Sequence, residues 1–236
     1  MIELSVVVLA FDEEPNVGVV LAELLDWLRA HEPRSEVVFV DDGSRDDTAG
    51  AAARALAGFP HRIVRHPINR GIGAALKSGV AAARGEWATF LPADGQIDPA
   101  AVGALRAASA GADVVFSVYD HRDDGIDRTL LSAGVRGLIF TVHGVRMRSD
   151  GPYLFRRCLL VPDELPPDSF FLNFEVPIRV LAAGLPTRTV TIACRPRIAG
   201  ESKSRSLSRI ASVFSDLLEL RRRRIARALR LLIGRG

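Results

Sequence analysis

The sequence predicts an α/β protein with a Rossmann-like, mostly parallel central sheet and helices on both faces. Three observations carry this. Continuous apolar, β-branched runs read as strands buried on both sides. Such runs alternate with segments of helical apolar period through Val118. Polar, acidic loops follow three of the strands, where open parallel sheets bind ligands. The chain has 236 residues, 48% hydrophobic and 25% charged. That suffices for a core without disulfides or metal and excludes disorder for the bulk. No internal repeat is present.

Taken in order, Leu4–Ala10 (LSVVVLA) is the first strand. Pro15 opens a helix through Val17, Val20, Leu21, Leu24, Leu25 and Leu28, with proline in the first turn. Residues 36–40 (EVVFV) form a strand stopped by Asp41-Asp42-Gly43-Ser44. Residues 46–56 are alanine-rich and helical, and 62–65 are a short strand. Residues 71–84 form a helix with Ile72, Ala75, Leu76, Val80 and Ala83 on one face. Strand 86–91, helix 99–110 and strand 113–118 follow. Beyond Val118 the pattern loosens. Residues 119–128 read as loop, 128–142 and 174–183 as helices, and 187–193 as an alternating strand. Residues 207–233 form a long amphipathic helix with the stripe Leu207, Ile210, Phe214, Leu217, Leu218, Ile225, Leu229 and Leu232. Arg222, Arg223, Arg227 and Arg230 lie mainly off that stripe.

The net charge of +3 hides an asymmetry: residues 195–236 carry +9 and residues 1–194 carry −6. A basic tail on an acidic body points to a polyanionic partner. Nucleic acid is disfavoured, since there is no recognition motif and only two Trp and two Tyr for stacking. The tail instead suits a helix lying on an anionic membrane surface, or one docked on the protein's own core with its arginines solvated. Cys158 and Cys194 make no zinc spacing and read as buried thiols in a reducing compartment. The N-terminus lacks a basic n-region and a cleavage site, so no signal peptide is expected. No stretch has the ~20 apolar residues of a spanning helix. The expected organisation is one domain over 1–205, with halves 1–118 and 119–205, then the basic helix 206–236.

The loops carry the chemistry. Phe11-Asp12-Glu13-Glu14, Asp41-Asp42-Gly43-Ser44 and Pro92-Ala93-Asp94-Gly95-Gln96 are placed on one rim of the sheet. Carboxylates with an amide oxygen suit a hard cation such as Mg²⁺ or Mn²⁺. Asp46 and Asp47 read instead as helix-capping residues. Two nucleotide signatures are absent. No G-x-G-x-x-G follows the first strand, and Leu76 stands where a Walker A motif before Lys77-Ser78 requires glycine.

The segments SVVVLAFDEEPNV, VVFVDDGSRDDT, NRGIGAALKSGVAAARGEWATFLPADGQIDP, DSFFLNFEVPIR and RPRIAGESK, in this order, spread over most of residues 4–220. On them the chain resembles the family 2 glycosyltransferases of the GT-A fold, and within these the polyprenyl-phosphate, dolichol-phosphate mannose synthase-like branch. The resemblance implies a nucleotide-sugar-binding half over 1–118 and an acceptor half over 119–205. It implies that Ala10, Phe11 and Glu13 line the nucleoside pocket and that Asp41 hydrogen-bonds the base, with Val40 packing on it. Asn69, Arg70 and Gly71 would begin the helix before the metal strand. Ala93 and Asp94 would face the donor, and Asp94 and Gln96 would bind the cation. Arg197 and Lys203, in R-x-x-G-x-S-K, would contact phosphates. Leu9 and Phe11 depart from the family's usual Pro and Tyr. The family's Asp-Ala-Asp is here Pro92-Ala93-Asp94, so one carboxylate is lost.

The resemblance implies inverting, metal-assisted transfer from a GDP- or UDP-sugar. Asp94 with its cation, Arg197 and Lys203 would neutralise the leaving diphosphate. A polyprenyl phosphate acceptor is already anionic and needs positioning rather than a strong base. Arg122 is the first candidate clamp, ahead of Arg128 and Arg136. A soluble hydroxyl acceptor would need a carboxylate base. Glu175 is then the candidate and Asp168 the second, although Glu175 also suits an i,i+4 pair with Arg179. His121 and His143 read as surface or loop residues. A non-catalytic nucleotide-sugar-binding protein is the third reading, motivated by Pro92. The implied location is cytoplasmic, peripheral on the cytoplasmic face of a membrane.

Overall fold

The computed structural model describes residues 1–120, 126–160, 172–196, 198 and 215–225. The strands are β1 (Leu4–Ala10), β2 (Ser35–Asp41), β3 (His61–Arg65), β4 (Trp87–Pro92), β5 (Val114–Tyr119), β6 (Leu154–Arg156) and β7 (Thr187–Ile192). The helices are α1 (Glu14–His31), α2 (Thr48–Ala55), α3 (Ile72–Ala82), α4 (Ala100–Ala107), α5 (Ile126–His143) and α6 (Leu172–Ala182). The chain forms two compact units. The first comprises Met1–Arg122, Arg148–Ser169 and Leu185–Glu201, and the second Asp123–Met147, Phe170–Gly184 and Ser202–Gly236.

The first unit holds the whole sheet, in the order β3-β2-β1-β4-β6-β5-β7. The neighbours among β1 to β4 are parallel, as are β5 and β7. β6 runs antiparallel between β4 and β5. Side chains alternate across the pleat. Leu4, Val6 and Val8 with Val37 and Phe39 meet α1, α2 and α4 through Leu21, Leu24, Leu28, Ala52, Val102 and Leu105. The opposite face takes α3, which approaches so closely that a Cβ at Gly79 would lie 2.2 Å from Val7 Cγ1. Helices therefore cover both faces, as the alternating pattern predicts. β1 and β2 are buried along their length, whereas the edge strands β3 and β7 are partly exposed. That burial is why β1 and β2 read as unbroken apolar runs.

At the amino ends of the strands, Glu36 is fully buried. Its carboxylate accepts the Ser5 hydroxyl at 2.8 Å, the Arg84 backbone N–H at 2.6 Å, and the Arg84 Nε and Nη2 at 2.8 and 2.6 Å. This ties the chain leaving α3 to β1 and β2. A buried carboxylate is tolerated only with such complete pairing.

One strand was not expected, and two expectations are revised. β6 gave no sequence signal: three residues are too few for a period, and its strand character comes from its two neighbours. The cysteines are not buried. Cys158 is exposed in the turn after β6 and Cys194 is half-buried. The second revision concerns the tail. Within the predicted helix 207–233, residues 215–225 are helical and the others lie outside the described residues. There, Leu217 and Leu220 are buried with Ile139 and Val142 of α5, Met147, and Ile178 of α6. Leu218 and Ile225, assigned to the same stripe, are exposed. The seam runs through the i,i+3 pair 217 and 220, which points at the helices of the second unit.

His143 fastens this contact. Its Nε2 donates to the Leu217 carbonyl at 3.1 Å and its Nδ1 accepts from Arg224 at 3.1 Å. Only a neutral imidazole can do both. Burial, helped by the charges of Arg224 and Arg221, holds its pKa below the ordinary 6.5, against the pull of the Leu217 carbonyl. Below about pH 6.5 the unfolded chain binds a proton that the folded imidazole resists, so this contribution to stability falls as pH falls. Thermal midpoints of the second unit are expected to drop between about pH 7 and about pH 5, and His143→Gln is expected to flatten that slope. An unchanged slope in the variant would remove His143 as its source.

Candidate functional site

Sheet register sets the site. Ala10 pairs with Asp41, and Leu9 with Pro92, so β1, β2 and β4 end at the same level. Backbone bonds continue past the strand ends: Asp42 N–H to Ala10 O at 2.8 Å, and Ala93 N–H to Leu9 O at 2.9 Å. The three acidic loops therefore share one rim, as predicted.

Most of their carboxylates serve the backbone. Asp12, at φ 51°, gives its N–H to Ser44 Oγ at 2.9 Å and accepts the Arg45 N–H at 2.8 Å. Glu13 N–H donates to Thr48 Oγ1 at 2.9 Å, and Glu14 accepts the Asp47 N–H at 2.9 Å. Asp46 accepts the Glu14 N–H at 3.2 Å and the Thr48 N–H at 3.1 Å, so it caps α2. Burial tends to raise the Asp46 pKa, but the Thr48 hydroxyl and these N–H donors outweigh it and hold it below the usual value. Asp47, the other residue read as a cap, makes no side-chain cap bond and pairs with Arg54 at 2.9 Å. The loops after β1 and β2 are thus stapled to each other.

Asp41 is buried, accepts the Ser44 N–H at 2.9 Å and lies 3.3 Å from Arg65 Nε. Its neighbour Asp42 is a central residue that sequence reasoning missed. Asp42 Oδ1 pairs with His66 Nδ1 at 2.6 Å and accepts the Arg70 N–H at 3.0 Å. Its Oδ2 accepts the Gly71 N–H at 2.7 Å. His66 Nε2 meets Ser78 Oγ of α3 at 2.9 Å. One carboxylate therefore anchors the loop that enters α3, including Arg70 and Gly71. Only its place in the Asp-Asp-Gly-Ser turn hinted at this. Gly43 makes room: at φ 76° it carries no Cβ, which would lie 2.3 Å from the Ile68 carbonyl carbon.

Asp94 is 6% exposed and accepts the Gln96 N–H at 3.1 Å. Gly95 between them has φ 76°. From the far end of the chain, Arg195 N–H donates to Gln96 O at 2.8 Å and Ile198 N–H to Asp94 O at 3.2 Å. Among the described residues no group of three or more His, Cys, Asp or Glu could hold a metal. Asp94 and Gln96 still present hard oxygen donors. They fit a cation carried on one carboxylate and completed by substrate phosphate and water, a common arrangement for Mg²⁺.

The other assigned residues fall as follows. Ala10, Glu13 and Ala93 are buried beside the rim and Phe11 is partly exposed. Val40 is fully buried under α3, with its Cγ2 3.1 Å from a Cβ placed at Gly79. In the second unit, Glu175 is 1% exposed and pairs with Arg179 at 2.6 Å in the i,i+4 arrangement. Arg122, His121, Asp168, Arg197 and Lys203, and the side chain of Arg128, lie outside the described residues.

Residues 5–158 match the sequence profile of glycosyl transferase family 2. The chain belongs to that family. It is 31% identical over 171 residues to a dolichyl-phosphate beta-glucosyltransferase of Trichomonas vaginalis, covering 65% of this chain and 53% of that one. It is 30% identical over 223 residues to an undecaprenyl-phosphate 4-deoxy-4-formamido-L-arabinose transferase of Pseudomonas fluorescens, covering 91% of this chain and 63% of that one. The chain thus spans less than two thirds of the length of these relatives. Among solved structures it resembles glucosyl-3-phosphoglycerate synthase of Mycobacterium tuberculosis, in complex with Mn²⁺, UDP-glucose and phosphoglyceric acid. The TM-score is 0.68 at 23% identity, over 92% of this chain and 78% of that one. This likeness supports the GT-A fold. No helix among the described residues is long and apolar enough to cross a membrane.

Proposed function

We propose that this chain transfers a sugar, with inversion, from a nucleotide sugar to a polyprenyl phosphate at the cytoplasmic face of a membrane. The observation that carries the reading is the shared level of Asp41, at the end of β2, and the end of β4, whose following loop carries Asp94. In this reading the buried Asp41 carboxylate would hydrogen-bond the base, and Asp94 would lie at the diphosphate end of the donor. Asp94 and Gln96 would hold Mg²⁺ or Mn²⁺. When bound, the cation supplies electrostatic compensation for charge on the departing diphosphate. Arg197 and Lys203 would add positive charge to the same end of the donor, and Arg122 would orient the acceptor phosphate. The relatives named for dolichyl- and undecaprenyl-phosphate support the acceptor class. The exposed Leu218, Ile225, Arg222 and Arg223 suit contact with an anionic lipid surface.

A second reading is transfer to a soluble hydroxyl, with Glu175 as base. Its support is the burial of Glu175, although one carboxylate oxygen is engaged by Arg179. A donor-by-acceptor assay with GDP-mannose and UDP-glucose, Mg²⁺ or Mn²⁺, with and without polyprenyl phosphate, tests both. A glycosylated lipid phosphate is the expected product. Donor hydrolysis without lipid product moves the acceptor to a hydroxyl compound. Neither product turns the loss of the first carboxylate at Pro92 into evidence for a non-catalytic binding protein.

A further inference from the structure

The loop after β4 is braced by a segment that lies 97 residues further along the chain. Ile97 and Cys194 form an antiparallel bridge. Continuing from it in one direction, the Arg195 and Ile198 N–H groups occupy the Gln96 and Asp94 carbonyls. The Arg195 guanidinium extends beyond this ladder. One arm donates to the Asp98 carboxylate, and the other to Glu23 of α1 at 3.0 Å. Ile198 lies over Gly95, where an added Cβ would be 2.3 Å from its Cδ1. All these residues belong to the first unit.

Each of these ion pairs is partly exposed, and a lone pair of that kind contributes little. Here a single planar guanidinium joins two carboxylates while its own backbone binds the same loop, so the contacts act as a network. A loop with glycine at its centre loses much conformational freedom when it binds a ligand. Bracing it beforehand lowers that cost. The two carbonyls occupied by the segment belong to Asp94 and Gln96, the residues assigned to the cation. With proline at position 92, binding rests on one carboxylate, so its preset position counts for more.

We propose that Arg195 is a positioning residue that, with Cys194 and Ile198, latches onto the 94–98 loop and presets Asp94 and Gln96 for the donor diphosphate and its cation. The inference rests on the reading of those two residues given above. The test is calorimetric titration of the full chain with Mn²⁺ plus uridine diphosphate, and with Mn²⁺ plus guanosine diphosphate. Arg195→Ala is expected to weaken binding about tenfold, the scale of a lost charge-assisted hydrogen bond. Donor KM is expected to rise while kcat stays within about twofold. Arg195→Lys, able to pair with one carboxylate, is expected to recover part of the loss. Asp98→Asn is expected to weaken binding, and the double variant to be no weaker than Arg195→Ala alone. Wild-type affinity in a folded Arg195→Ala protein, or additive losses in the double variant, would overturn the latch. Asp94→Ala separates the two levels. If it binds as well as wild type, the site reading fails and the latch with it. If it loses binding while Arg195→Ala does not, the site stands and only the latch is removed.

Discussion

Asp94→Ala is expected to lower transfer by about a thousandfold or more while leaving the fold intact. The estimate follows from the several kcal/mol that charge compensation contributes at a departing phosphate, at about 1.4 kcal/mol per tenfold in rate. Asp94 is the sole carboxylate in the segment 92–96 and is 6% exposed, in a loop already fixed by the Gln96 N–H and by Ile198. No neighbour in that segment can replace it, because none of the others carries a carboxylate. Its removal spares the sheet: the bond from Ala93 N–H to Leu9 O is backbone and persists. Asp94→Asn keeps the shape and the acceptor oxygen but not the charge, so it is expected to lose nearly as much. Steady-state kinetics on both variants, alongside circular dichroism, checks this. A variant within tenfold of wild type would take Asp94 out of the site.

The contrast between Asp94 and the other rim acids shows what the sequence could and could not tell. Strand runs such as LSVVVLA and EVVFV are buried on both faces, so their composition announces both the strand and its central place. The order of loops along the chain then fixes which acids reach the rim. Composition says nothing about where a carboxylate's lone pairs go. Asp12 and Glu14 read as members of an acidic ligand loop and Asp46 as a helix-capping residue, and in the structure all three accept backbone N–H groups of the facing loop. Long-range partners were invisible for the same reason. His66 and Ser78 are separated by twelve positions, and Asp42 from Gly71 by 29. β6, Cys194, Arg195 and Ile198 find their backbone partners only in strands and loops distant in sequence. In the tail, helical period was legible from the sequence. Which face is buried depended on α5 and α6, and so Leu220 replaced Leu218 in the seam.

Asp42→Ala is expected to damage stability and donor binding together, and by more than any of the exposed acids. The carboxylate is 4% exposed and takes three hydrogen bonds: from the His66 ring, the Arg70 N–H and the Gly71 N–H. Truncation strands a buried imidazole and two backbone donors at the start of α3, where a negative charge is also favoured by the helix dipole. Each stranded group costs about 1–3 kcal/mol, so a total of about 3–5 kcal/mol is expected after partial rehydration. Asp42→Asn should recover some of this, since the amide oxygen can still accept from two of the three donors. Asp47→Ala serves as the comparison. Its partner Arg54 is 68% exposed and Asp47 itself 56%, so it is expected to cost under about 1 kcal/mol. The loop anchored by Asp42 packs under Gly43, in the turn that also carries Asp41. Its release is therefore expected to raise donor KM even at temperatures where the variant stays folded. Urea unfolding and donor titration on the three variants measure the two effects separately. A loss at Asp42 no larger than that at Asp47 would mean that the loop entering α3 is held by something other than this carboxylate.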